Sequence, residues 1–359
     1  MKRILYIKPV DRAFILFDQR LLEKHFNVKH FLLNRDRGGF YFLYKIIRLF
    51  FFLLFNARGS MAMVTWFGDY HAAIMTFIGN LFNIKVVIFV GGQETICYPE
   101  LKKGVFRTRF RAGVVRYALK NASLIIPNHQ SLIYHENYYY NNKGKKDGIK
   151  YYIPDIKTRI EIIPNGINTE KFFRDSTIPK DDHMVLTVGT MTSIYDFMNK
   201  GFDLFFEIAA RNKDLNFILI GIKAQFMDWV EMNYHPSKIE NLLLVPSFCP
   251  FSVLFEYYNK AKVFVQASIT EGMPNTINEA MLCECIPVGS NVNGIPDAMG
   301  GNGVILNSRL ATELEKAVRK ALTMNSGYSA RQHVLENYTY KLREERLITL
   351  LKEILAVGI

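Results

Sequence analysis

Four cysteines in 359 residues are too few to staple a fold, and none stands in a paired zinc spacing: Cys97 and Cys249 are isolated, Cys283 and Cys285 two apart. A disulfide scaffold and a cysteine-held zinc centre are therefore excluded. The thiols are expected to be reduced and structural, in a cytoplasmic setting. No G-x-G-x-x-G follows a strand-like run, which disfavours a nucleotide-binding dehydrogenase. Only Ile4 to Ile7 precede Lys8 as an apolar run, shorter than a signal-peptide core. With 23 Gly, 12 Pro, 49% hydrophobic and 22% charged residues, collagen-like, low-complexity and disordered classes are also out. The length suits two domains, each able to bury its own core.

Acid is scarce in one half. Residues 1–178 hold 28 Lys and Arg against 13 Asp and Glu; the remainder holds 17 against 20, for a net charge of +12. That asymmetry points to an anionic partner for the first half. Phe40 to Phe55 is apolar but broken by Lys45 and Arg48 and flanked by Arg35, Arg37 and Arg58. Its longest uncharged run is well short of a membrane span. It reads either as a helix lying in a membrane interface or as a buried core helix. Lys102 to Lys120 carries seven basic residues and no acid, with Phe106, Phe110, Val114 and Tyr117 on one helical face. It fits a solvated basic face or a surface meeting anionic lipid. Tyr138 to Tyr140 with Lys143, Lys145 and Lys146 mixes aromatics and base, but no recognition-module signature accompanies them, so no nucleic acid is expected. Residues 136–158 read as an exposed loop.

Apolar strand-like runs alternate with helical patterns throughout. They fall at Ile4–Ile7, Val28–Leu33, Met61–Phe67, Lys85–Val90, Leu124–Pro127 and Ile160–Ile163, then at Met184–Val188, Phe217–Gly221, Leu242–Val245, Val263–Gln266, Ile286–Gly289 and Val304–Leu306. Continuous apolar strands separated by helices imply parallel sheets buried on both faces. The fold class is α/β, with two doubly wound, Rossmann-like domains facing across a cleft. A pause at Pro164–Lys180 separates the halves. The expected domains are 1–170, 171–338 and an amphipathic helix, 339–359, that can pack on either domain, a crossing back to the first included. Ligands belong beyond the carboxyl ends of such strands.

The most informative segment is Thr270 to Asn291, TEGMPNTINEAMLCECIPVGSN. Gly272 permits close backbone approach. Pro274 suits the first turn of a helix. The amides of Asn275 and Thr276 would then form an anion site suited to phosphate. Glu279, on that helix, suits neutral hydroxyls such as those of a ribose.

Glu271 and Glu279 form an E-x7-E pair inside E-G-x-P-x-x-x-x-E-A, which resembles the donor-site motif of retaining glycosyltransferases of family 4, of GT-B architecture. Three more segments resemble that family in order: Ile163-Pro164-Asn165-Gly166-Ile167-Asn168, Val188-Gly189 with Lys200-Gly201-Phe202-Asp203, and Asn293-Gly294-Ile295-Pro296-Asp297. The resemblance implies a first domain that binds acceptor and a second that binds a UDP- or GDP-type sugar, with no other cofactor and no metal. Lys200 would hold the diphosphate and Glu271 the sugar hydroxyls, as the catalytic pair. Gly272, Met273, Pro274, Asn275 and Thr276 would bind phosphate or sugar through their backbone, Glu279 the ribose, and backbone near Pro246 to Phe251 the base. Thr190 and Ile222 complete the donor side. Gly91, Gly92, Gln93, Glu94 and His129 would stand on the acceptor side.

Two departures matter. Thr190 replaces the family's usual arginine, leaving Lys200 alone or with a base such as Lys223. Gly91 to Glu94 replaces a segment that commonly carries a histidine. The implied function is sugar transfer to a glycan or lipid-linked acceptor in cell-surface polysaccharide or lipopolysaccharide assembly; the expectation that the protein is peripheral on the inner membrane face rests on the charge and on Phe40 to Phe55. The alternatives are a sugar-nucleotide epimerase of the same fold and a non-catalytic nucleotide-sugar binding subunit.

Overall fold

The computed structural model describes residues 3–34, 39–247 and 249–356. Arg35 and Arg37, and Phe248 of the expected base-contacting segment, lie outside the described residues. Two compact units emerge: residues 1–135, 147–166 and 341–359 form the first, residues 136–146 and 167–340 the second.

The first unit alternates β1 (Arg3–Lys8), α1 (Ala13–His25), β2 (Asn27–Leu32), α2 (Gly39–Ala57), β3 (Ala62–Trp66), α3 (Tyr70–Phe82), β4 (Lys85–Val90), α4 (Arg109–Asn121) and β5 (Leu124–Pro127). Its sheet runs β2-β1-β3-β4-β5, all parallel. Ile4 to Ile7 and Val87 to Val90 are fully buried because helices cover both faces. Ile160–Ile163 pairs alongside β5, with Ile125 donating to the Arg159 carbonyl and Glu161 to that of Ile125, but forms only a single bridge at Ile160.

The structure bears on three expectations. First, α2 is neither wholly buried nor wholly outside: it buries Leu49, Leu53 and Ala57 and exposes Phe40, Leu43, Tyr44, Ile47, Phe51 and Phe55. At 19 residues it is, by length and composition alone, long and apolar enough to cross a membrane despite its two charges. Second, α4 turns Ala112, Val115, Ala118 and Leu119 inward, whereas Phe110 and Tyr117 face solvent. Third, 136–158 is not an open loop. It holds β6 (His135–Asn137) paired with β7 (Lys145–Asp147), then α5 (Ile149–Tyr152). Tyr139 is buried among second-unit side chains, and Asn137 donates to the Ile269 carbonyl at 2.7 Å.

The second unit continues with β8 (Asp181–Val188), α6 (Tyr195–Asn199), α7 (Phe202–Arg211), β9 (Asn216–Ile222), α8 (Met227–Tyr234), β10 (Leu242–Pro246), α9 (Phe251–Lys260), β11 (Ala261–Gln266), α10 (Asn275–Leu282), β12 (Ile286–Ser290), α11 (Ile295–Met299), β13 (Val304–Leu306), α12 (Ala311–Leu322) and α13 (Gly327–Asn337). Its parallel sheet runs β10-β9-β8-β11-β12-β13. Phe205, Phe217, Val263 and Leu314 pack on one face; Phe264, Ile277, Met281 and Cys285 pack on the other.

The last helix, α14 (Tyr340–Ala356), returns to the first unit. It brings Arg343 into a fork on Asp18 at 2.7 and 2.8 Å, with both side chains almost fully buried. The same guanidinium donates to the carbonyls of Ile163 and Pro164 and lies over the Trp66 and Phe89 rings. Trp66 Nε1 donates to Asp18 as well, at 2.9 Å. Arg343→Ala would leave the Asp18 carboxylate buried without its cation. We expect a loss of about 3–5 kcal/mol in urea unfolding, partly restored by adding Asp18→Ala; a loss under about 1 kcal/mol would show that the pair does not pin α14.

Candidate functional site

The two strands at the centre of the second sheet, β8 and β11, are adjacent and parallel, so the loops leaving their carboxyl ends emerge side by side. The first loop runs through α6 to Lys200. The second carries Glu271. Backbone ties them: Ile269 donates to the Asn199 carbonyl at 2.7 Å. Gly189 leaves room for the lysine, since a Cβ there would sit 2.7 Å from Lys200 Cδ. Gly201 takes a left-handed φ of 73°, and a Cβ there would meet the Ala267 carbonyl oxygen at 2.5 Å.

The result is an ion pair between Lys200 Nζ and Glu271 Oε1 at 2.9 Å, with each side chain about one fifth exposed. Burial alone would lower the ammonium pKa, but Glu271, then Asp196, outweigh it and raise the value. Ser268 Oγ donates to the same Glu271 oxygen at 3.3 Å. The fourth matched segment supports this loop: Asn293 Oδ1 accepts from the Glu271 amide at 3.1 Å, and Gly294 donates to the Gly272 carbonyl at 2.9 Å. Asn293 and Ser268 were not among the site residues read from the sequence. Asn293 lay inside a matched segment, which was the available signal.

Pro274 caps α10 with no side-chain hydrogen bond, and Thr276 Oγ1 donates to Gln266 Oε1 at 2.9 Å. Asn275 and Thr276 are partly exposed at the helix start, while Met273 is in the core and can offer only its backbone. Ile222 is likewise buried, and its carbonyl accepts from Ser247, so its side chain does not line a site. Thr190 is exposed just beyond β8, and Lys223 stands just beyond the neighbouring β9. Glu279 accepts from the Tyr258 hydroxyl at 3.0 Å, and surrounding protein pushes it up to about 7 by desolvation, against the pull of that hydrogen bond and of Lys171. Lys171 in turn lies 4.2 Å over the Phe251 ring, where α9 begins. The sequence reading missed Tyr258 and Lys171 because nothing in their local pattern marks them.

On the first unit, Gly91, Gly92 and Gln93 follow β4, and Gln93 accepts from the Gly104 amide. Glu94 is corrected: it is 1% exposed and turned inward, its Oε1 accepting from the Gly68 and Gly91 amides at 3.4 and 3.3 Å. It braces the ends of β3 and β4 and is not placed to touch an acceptor. His129, also buried, caps the turn after β5 by accepting from the Ser131 amide at 3.1 Å.

Residues 182–324 match the family model described as "Glycosyl transferases group 1". That span contains the donor-side residues named above from Thr190 to Asn293, while Lys171 precedes it. The chain is 25% identical over 183 residues to the phosphatidylinositol N-acetylglucosaminyltransferase GPI3 subunit of Saccharomyces cerevisiae, covering 48% of this chain and 38% of the yeast protein. The chain thus spans well under half of that relative. Among solved structures, the sucrose-phosphate synthase of Thermosynechococcus elongatus superposes with a TM-score of 0.74 at 14% identity over 100% of both chains. HepE of Anabaena in complex with UDP-glucose gives 0.70 at 13% identity, over 98% of this chain and 100% of HepE.

Burial pushes Glu94 up to about 7, with Asp69 adding to the rise and the two amides opposing it. A raised carboxyl is stabilising in its neutral form. That contribution is full below about 4.5, its ordinary value, and falls as the pH climbs to about 7. We expect Glu94→Gln to remove this slope, so that wild type loses Tm relative to the variant across that window. Parallel Tm-against-pH curves for the two proteins would refute it. The chain has the GT-B fold of these glycosyltransferases, and its second unit is similar over residues 182–324 to the group 1 family.

Proposed function

We propose that the protein is a retaining glycosyltransferase that moves a sugar from a nucleoside-diphosphate sugar to a glycan or lipid-linked acceptor. The observation that carries this reading is the Lys200–Glu271 pair at the start of α10, eight residues before Glu279. A diphosphate arriving there competes with Glu271 for the ammonium. The lysine passes to the phosphate oxygens, backed by the backbone amides of Gly272, Met273, Asn275 and Thr276, the last two opening α10. Glu271, released, accepts from the sugar hydroxyls. Glu279, already dehydrated, accepts from the ribose, and backbone from Pro246 to Phe251 meets the base.

Charge grows on the diphosphate as the bond from the anomeric carbon to its oxygen breaks, and Lys200 with the helix amides stabilises it there. The acceptor hydroxyl attacks on the same face, and its proton goes to the departing phosphate oxygen. On this reading the reaction needs no metal. With Thr190 where an arginine usually stands, Lys200 is the side-chain cation on which the step depends. The second unit holds the donor, and the first receives the acceptor near Gly91 to Gln93 and His129. The process follows the family analogy: cell-surface polysaccharide or lipopolysaccharide assembly. The place, peripheral on the cytoplasmic side of the inner membrane, is supported by the basic first half and by Phe40 to Phe55.

We expect Lys200→Ala and Glu271→Ala each to lower the rate of nucleotide-sugar turnover at least about 100-fold, measured as nucleoside diphosphate released. Glu279→Ala should mainly raise the donor KM, by about 1–3 kcal/mol in binding. Unchanged turnover in both of the first two variants would end the assignment. A donor whose sugar is altered but still attached to the nucleotide would mark an epimerase instead.

A further inference from the structure

The outward stripe of α2 is built against water. Phe40, Leu43, Tyr44, Ile47, Phe51 and Phe55 recur at helical steps on the face opposite Leu49 and Leu53, and they are 49–95% exposed. Next to α2, α3 continues the patch with Phe77 and Leu81, both more than half exposed. Beyond α3, α4 adds Phe110 and Tyr117. Ring contacts join the three helices at one end, Phe42 to Tyr70 at 6.0 Å and Tyr70 to Phe110 at 6.3 Å. A patch of this breadth marks an interaction surface.

Its charge identifies the partner. None of the three helices contains an aspartate or glutamate, whereas α2 carries Lys45 and Arg48, and α4 carries Arg109, Arg111, Arg116 and Lys120. Asp69 and Asp155 offset Arg111 and Lys120, which leaves the surface net basic, and a second copy would set it against itself. Insertion of α2 as a span would take Leu49, Leu53 and Ala57 out of the core cluster they share with Leu5, Met63, Ala72 and Met75. We propose that α2 and α3 dock the protein on an anionic lipid bilayer, with the outer stripe of α2 sunk among the headgroups and upper acyl chains and Arg48 and Arg109 on lipid phosphates. The surface lies outside the candidate site and does not rest on the transfer reading. It turns a general attraction of the basic half into a defined face and depth.

The test is flotation of the full-length protein with phosphatidylcholine vesicles and with phosphatidylcholine–phosphatidylglycerol vesicles. Wild type should float with the anionic vesicles and stay down with the neutral ones. Arg48→Gln with Arg109→Gln should weaken anionic binding about 30-fold. Phe51→Ser, Phe55→Ser, Phe77→Ser and Leu81→Ser together should abolish flotation and leave the circular dichroism unchanged, because all four positions already face water. The proposal fails if wild type floats with neither vesicle or equally with both, or if the serine variant still floats. Resistance of the bound protein to carbonate extraction would show a spanning α2 and overturn it. So would a dimer in sedimentation velocity that the serine variant dissolves while flotation is kept.

Discussion

Parallel strands send their connections out at one end, and in the second unit that constraint forces the loops after β8 and β11 together. The Lys200–Glu271 pair is the product. Around it the loops are tied by the Ile269 amide to the Asn199 carbonyl and by the Asn293 side chain to the Glu271 amide. Two charges at partial exposure, held by backbone on both sides, lose little freedom in meeting each other. On the proposed reading, one of the two charges is exchanged for that of a ligand without rearranging the fold.

The first unit depends on a different ion pair. Asp18 and Arg343 are 325 residues apart and almost wholly buried. Their desolvation cost is offset by the groups around them: the Trp66 indole, the carbonyls of Ile163 and Pro164, and the faces of two rings. This explains why the final helix packs on the first unit, where Leu347, Leu351 and Ile354 join the cluster of Ile4, Tyr6 and Trp66.

Much of this architecture is legible in the residues. Val263–Gln266 and Ile286–Gly289 are continuously apolar because helices cover both faces, and that alone marks them as parallel strands. Glu271, Glu279 and Lys200 were visible through spacing and motif. Glu94 shows the limit of such reading: a carboxyl after a double glycine has the pattern of a ligand contact, yet it folds inward onto two backbone amides. The helical spacing of Phe106, Phe110, Val114 and Tyr117 identified a face but could not say which side of the helix is buried.

The sequence by itself determined the alternation of strand and helix, the basic character of the first half and the residue types at the donor motif, because these follow from local pattern and composition. Only the tertiary structure decided which side of α2 meets the core, that Tyr258 and Lys171 stand beside Glu279, and that Asn293 supports Glu271. Those contacts join residues from about 20 to more than 100 positions apart. Their geometry is set by how parallel strands bring distant loops together, which no local window of the chain contains.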